Sequence, residues 1–225
     1  MRSTFSSTQK ARRPRATKRK RTTRRTKPAP LILTIGHSTR AIGEFIELLR
    51  AHEVTRVVDV RTVPRSRHNP QFNREQLPAS LHAAGISYQH CPALGGLRRT
   101  TSASRNTGWR NRSFRGYADY MQTRKFREAV DQLIGQAERD RLALMCAEAV
   151  PWRCHRSLIA DALLIRGVKS EDISNAARRT PHRLTPFAHV RGTLITYPSE
   201  SSIQKPKIPR RRSALDRVRV TSRVP

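Results

Sequence analysis

Three short polar clusters carry residue types that do chemistry: Gly36-His37-Ser38-Thr39, Asp59-Val60-Arg61, and Cys146-Ala147-Glu148 followed by Pro151-Trp152-Arg153-Cys154-His155-Arg156. Glu148 and Asp59 are carboxylates able to activate water or to stabilise positive charge on a sugar during glycosidic cleavage. Arg61, Arg153 and Arg156 suit phosphate, and His155 with Arg156 at the start of a helix suits an anion met by free backbone N–H groups. His37 and Ser38 complete the first cluster, and Trp109, Tyr117 and Tyr120 offer rings on which an extruded base can stack.

Each cluster also has a plainer reading. His37 suits a helix cap, Asp59 with Arg61 suits an ion pair at a strand end, and tyrosines at helical spacing suit a core. Glu148 follows an apolar run, where a carboxylate is costly unless it is paired or its pKa is raised. Cys146 and Arg153 are separated by six residues, one more than in the phosphate-cradling loop of cysteine phosphatases, and Glu148 and Pro151 lie between them. No metal site is expected at Cys146, Cys154 and His155, because Cys91 is the one other thiol and no C-x-x-C pair exists. Neither a Walker loop nor a G-x-G-x-x-G is present, so no cofactor is expected.

The elements that must position these residues follow from apolar periodicity. Leu31–Gly36 (LILTIG) reads as a strand. Ile42, Phe45, Ile46 and Leu49 make Arg40–His52 an amphipathic helix capped by Ser38 or Thr39, and Val54–Val60 is a second strand. Arg74–Ala84 reads as a helix weakened by Pro78, Ile86–His90 as a strand, residues 92–116 as a long loop, and Tyr117–Arg139 as one helix. Leu142–Ala147 (LALMCA) has the composition of a central parallel strand buried on both faces. The helix His155–Arg166 ends at Gly167, and Val168–Ile173 and Thr193–Tyr197 are further strands. Alternation of strand and helix predicts an α/β fold, a single domain with a mainly parallel sheet flanked by helices. All three clusters then fall at the carboxyl ends of strands, where open parallel sheets bind ligands.

The chain has 225 residues and a formal net charge of +30, unevenly spread. Residues 1–30 hold 12 basic residues and no acid, and 201–225 hold 8 basic residues and one acid, Asp216. The expected organisation is a disordered basic tail over 1–30, the α/β domain over 31–198 and a second disordered basic tail over 199–225. The middle, 31–200, keeps 26 basic against 15 acidic residues. Its natural partner is a polyanion, nucleic acid first, because each neutralised phosphate releases a counterion. No apolar run reaches bilayer-spanning length and no signal-peptide core is present, so no membrane partner is expected. A cytoplasmic, nucleoid-associated location is expected, with three reduced thiols, Cys91, Cys146 and Cys154.

Four stretches resemble the domain of unknown function 488 family: TIGHSTR, VVDVRTVPRSRHNPQFN, GLRRT with NTGWRNRSFRGYADYM, and LMCAEAVPWRCHRSLIADAL. The resemblance runs from about Leu31 to Pro198. It implies an α/β domain with shared polar positions at His37, Ser38, Asp59, Arg61, Glu148, Cys154, His155 and Arg156, and for some relatives a role in removing damaged bases from DNA. VKSEDISNAARR at Val168–Arg179 departs from the aliphatic strand and glycine of relatives. The expected function is a hydrolase acting on nucleic acid, such as a damaged-base glycosylase. The alternatives are a non-enzymatic nucleic-acid-binding accessory protein and a small-molecule enzyme with an anionic substrate.

Overall fold

A computed structural model describes residues 29–200. The expected tails, apart from Ala29, Pro30, Ser199 and Glu200, lie outside the described residues. Strands β1 (Leu31–Gly36), β2 (Arg56–Asp59), β3 (Ser87–His90), β4 (Leu142–Cys146), β5 (Lys169–Asn175) and β6 (Arg178–Pro181) form one sheet in the order β3-β2-β4-β1-β5-β6. All neighbours are parallel except β5 and β6. The α/β class and the mainly parallel sheet are as expected. β4 is buried at every residue and β1 from Ile32 to Gly36, as central strands covered on both faces must be.

Five helices cover the sheet. On one face α1 (Ile42–Ala51) buries Phe45, Leu48 and Leu49, and α2 (Leu77–Ala83) buries Leu77 and Leu81, against Leu33, Ile35, Val57, Ala143 and Met145. On the other face α3 (Arg112–Tyr120), α4 (Arg124–Ala137) and α5 (Arg156–Leu164) pack on Ile32, Val58, Leu142 and Leu144. The helix after β1 and the helix after β4 therefore lie on opposite faces although the two strands are neighbours. That divergence opens a crevice beyond their carboxyl ends, the switch point at which doubly wound sheets bind ligands.

Several local expectations change. α1 begins at Ile42, and its N-cap Ala41 has no side-chain cap bond, so neither Ser38 nor Thr39 caps it. Pro78 does not weaken α2, because it sits in the first turn, where a missing N–H breaks no helical bond. The expected helix 117–139 is two helices. Asn111 caps the first, its Oδ1 accepting from the N–H groups of Ser113 and Phe114, and Thr123 caps the second by accepting from Phe126 N–H. The segment beyond α5 holds more strand than expected: β6 adds an antiparallel edge to β5, and β7 (His189–Arg191) pairs with β8 (Leu194–Thr196) across Gly192 in the left-handed region.

This last segment is fastened by one buried carboxylate. Asp161 of α5 is fully buried and accepts from His182 Nε2, Thr185 N and Oγ1, and the Tyr197 hydroxyl, at 2.7–3.1 Å. Four donors offset the cost of burying the charge and clamp residues 182–197 onto α5.

Candidate functional site

The three polar clusters meet at the switch point. A cavity of about 600 Å³ lies there, lined among others by His37, Ser38, Glu148, Arg153, His155 and Tyr117. Its floor is the junction of β1 and β4, whose ladder continues past the strands: His37 N–H donates to the Cys146 carbonyl and Ser38 N–H to that of Ala147. Ser38 adopts φ +51°, uncommon for a residue with a Cβ. Gly36 is required by close approach, since a Cβ there would come 2.0 Å from the Glu148 carbonyl oxygen.

Behind this floor Asp59 and Arg61 form a buried pair. Arg61 Nε donates to Asp59 Oδ1 at 2.9 Å and Nη2 to Oδ2 at 2.6 Å, while the Arg61 N–H and the Tyr88 hydroxyl fill the remaining acceptor sites. Arg61 also donates to the Phe72 carbonyl and, through Nη1, faces His37 Nε2 at 3.2 Å. An arginine can only donate, so His37 Nε2 is the acceptor and Nδ1 carries the hydrogen, which goes to the Ser38 carbonyl at 2.8 Å. His37 stacks on Phe72, and burial lowers its pKa to about 4, which keeps the ring neutral. Asp59 and Arg61 are absent from the cavity lining, and the carboxylate of Asp59 has its lone pairs occupied.

Glu148 is placed differently. It is half-buried at the loop leaving β4, its Oε1 accepts from Val150 N–H at 3.2 Å, and it is the one carboxylate among the residues lining the cavity. It is only half-buried, unlike the buried Cys146 that precedes its loop. Arg156 holds the loop from beneath: it is fully buried, and Nη2 donates to the carbonyls of Glu148 at 2.8 Å and Ala149 at 3.4 Å. Its Nη1 lies 3.6 Å from Asp172, whose carboxyl is raised above its ordinary pKa by burial. Arg153 is exposed and faces the cavity mouth.

The same loop separates the cavity from a second groove of about 800 Å³, to which Trp109, Trp152, Phe187, Arg40, Arg183 and Arg156 contribute. The fold therefore splits the residues singled out in sequence. His37, Ser38, Glu148, Arg153, His155 and Tyr117 share one cavity, Asp59 and Arg61 support it, and Trp109 and Arg156 border the neighbouring groove. Tyr117 is buried with its hydroxyl donated to the Leu94 carbonyl, so its ring is a fixed wall. Tyr120 is tied through its hydroxyl to Ala93, with Arg98 over its ring. Trp152, 74 % exposed in the lining of the second groove, stands in the third polar cluster without a role of its own, although a large aromatic in a Pro-bounded polar loop is a usable signal.

The thiols also assemble. Cys146 Sγ, Cys154 Sγ and a His155 ring nitrogen lie within 4.8 Å of one another. A hydrogen bond from Cys146, the His155 ring and the charge of Arg156 all favour the Cys154 thiolate, and the shared bond and burial push Cys146 up. A phosphatase-like nucleophile at Cys146 does not suit that arrangement, since the thiolate, not the thiol, attacks.

Among the described residues no helix is long and apolar enough to cross a membrane. No curated protein and no solved structure matches the chain. The family model described as Domain of unknown function DUF488 matches residues 41–163, a shorter span than the resemblance in sequence. The match covers more than half of the chain and takes in β2, β4, Glu148, Cys154, His155 and Arg156, so the chain belongs to the DUF488 family.

Proposed function

We propose that the protein is a hydrolase acting on nucleic acid, cleaving the glycosidic bond of a damaged nucleotide extruded into the switch-point cavity. The observation that carries this is the position of Glu148, a lone half-buried carboxylate on the wall of a hollow of about 600 Å³, with Arg153 at its mouth. A carboxylate so placed can orient water or stabilise the positive charge that grows on the sugar as the base departs. Asp59, with its oxygens held by Arg61 and Tyr88, keeps Arg61 and through it the neutral His37 in place, and is assigned a positioning role. Arg153 and the basic surface of the domain engage phosphates. Trp152, exposed and next to Arg153 in the loop between β4 and α5, takes the stacking role for which Tyr117 is too firmly fixed. The test is base release from labelled duplexes bearing oxidised, deaminated or alkylated bases, with the full chain and its Glu148→Gln variant.

One observation favours a second reading, a small anionic substrate in the neighbouring groove. Arg156 Nε and Trp109 Nε1 are buried donors without hydrogen-bond partners at its border, and Arg156 Nη1 has no hydrogen bond beyond its 3.6 Å ion pair with Asp172. Buried unsatisfied donors are uncommon, and a ligand carboxylate or phosphate would satisfy them. Thermal stabilisation by free nucleotides but not by DNA supports this second reading, and the reverse removes it.

A further inference from the structure

Beside Glu148 the structure assembles a second set of reactive groups that the proposed hydrolysis does not use. Cys146 ends β4, and Cys154 and His155 stand where a single 3-10 turn, Pro151–Arg153, enters α5. Their three ligand atoms lie within 4.8 Å of one another, and His155 Nδ1 is 3.7 Å from Cys154 Sγ. The other ring nitrogen, Nε2, is 3.0 Å from the Val60 carbonyl. A carbonyl only accepts, so Nε2 carries a hydrogen, and Nδ1 is the ring nitrogen turned toward the sulfurs, whose lone pair a cation would take in place of any proton there. A histidine that gives its far N–H to a main-chain carbonyl and its near lone pair to a cluster is oriented as metal-bound histidines are.

Two more features fit. All three side chains line the cavity, so a cation has a way in and a fourth position opens toward solvent. The main chain opposite His155 is Gly96, where a Cβ would stand 3.1 Å from Nδ1, so the glycine leaves that face uncrowded. We infer that Cys146, Cys154 and His155 bind a thiophilic divalent cation, Zn²⁺, in a three-ligand site whose fourth position faces the cavity. Two sulfurs and an imidazole nitrogen select Zn²⁺ over Mg²⁺ or Ca²⁺, which take oxygen. With Zn–S near 2.3 Å and Zn–N near 2.0–2.1 Å, tetrahedral ligand atoms stand about 3.6–3.8 Å apart, so a separation of 4.8 Å closes by roughly 1 Å. Zn²⁺ takes both sulfurs as thiolates, and one proton leaves for each sulfur that enters as a thiol. The C-x-x-C pairing whose absence argues against a metal in the sequence is replaced by strand-end and helix-start positions that only the fold brings together.

The experiment uses the full chain, reduced, stripped of metal by a chelator and titrated with Co²⁺ and then Zn²⁺. The expected result is one Co²⁺ per chain, a sulfur-to-cobalt charge-transfer band, and loss of that band on adding one equivalent of Zn²⁺. Cys146→Ser and Cys154→Ser lose the band. His155→Asn weakens binding by more than the roughly 10- to 100-fold that loss of an outer-shell partner brings, and Cys91→Ser changes nothing. Absence of the band in the reduced wild-type chain, which needs no variant to fold, overturns the inference. So does a band that survives in a folded Cys154→Ser chain. A reduced chain that takes no metal but closes a Cys146–Cys154 disulfide under mild oxidation also overturns it and makes the pair a redox dithiol.

Discussion

Arg156 reaches from the first turn of α5 to the main-chain carbonyl of Glu148, which its Nη2 holds at 2.8 Å while the guanidinium itself is fully buried. Arginine at a helix start suggests a phosphate contact; the geometry instead makes it the support on which the Glu148 loop rests. Arg156→Lys keeps the charge but loses the guanidinium whose Nη2 donates to both carbonyls. The expected outcome is a fall in kcat approaching 100-fold, roughly the scale of a 1 Å misplacement, with little change in KM. Steady-state kinetics on a cleavable duplex decides this, since an arginine that gripped substrate phosphate would raise KM instead.

Asp59 is expected to act on stability. Asp59→Asn leaves the Arg61 charge buried without its partner, which costs about 3–5 kcal/mol by the behaviour of broken buried pairs. A lowered urea midpoint with an unchanged slope checks it. A variant of wild-type stability that has lost activity would restore Asp59 to a catalytic role.

His37 predicts a pH dependence with a definite sign. Its folded pKa, about 4, lies below the ordinary 6.5, so between those values the unfolded chain binds the proton and the folded one does not. The contribution of the neutral ring is fully present above pH 6.5 and is lost as pH falls from 6.5 to about 4, amounting to roughly 3 kcal/mol at most. Urea midpoints at about pH 7, 5.5 and 4.5 in the wild type and in His37→Gln measure it, and the variant is expected to show a shallower fall across that window.

Trp152 is 74 % exposed and lines the second groove. Trp152→Ala should leave stability within about 0.5 kcal/mol, as surface changes usually do. Affinity for single-stranded or lesion-bearing DNA should fall by about 1–3 kcal/mol if the ring stacks a base. Fluorescence anisotropy of a labelled oligonucleotide reads the second quantity.

Much of this was legible in the sequence. Apolar runs such as LILTIG and LALMC could only be central strands, and once they alternate with helices the carboxyl-end location of His37, Asp59 and Glu148 follows. What was not legible depends on contacts distant in sequence. The saturation of Asp59 comes from Tyr88 as well as Arg61, and the burial of Arg156 follows from α5 being covered nearly all round. The antiparallel β6 and the β7–β8 hairpin escaped because their residues, RRTP and HVR, are polar and largely exposed. The hairpin segment is held by Asp161, a lone acid within an apolar helix whose partners lie 21 to 36 residues away. Cys146, Cys154 and His155 lack metal-ligand spacing in the sequence, and only the fold sets the strand end and the helix start side by side.

The measurement that tests the central claim most directly is single-turnover base release from a panel of damaged duplexes by the full chain and by Glu148→Gln. Release by the wild type, reduced roughly 10²- to 10⁴-fold in a folded Glu148→Gln variant, is the predicted result. Equal release by both proteins, or none from any duplex, would contradict it.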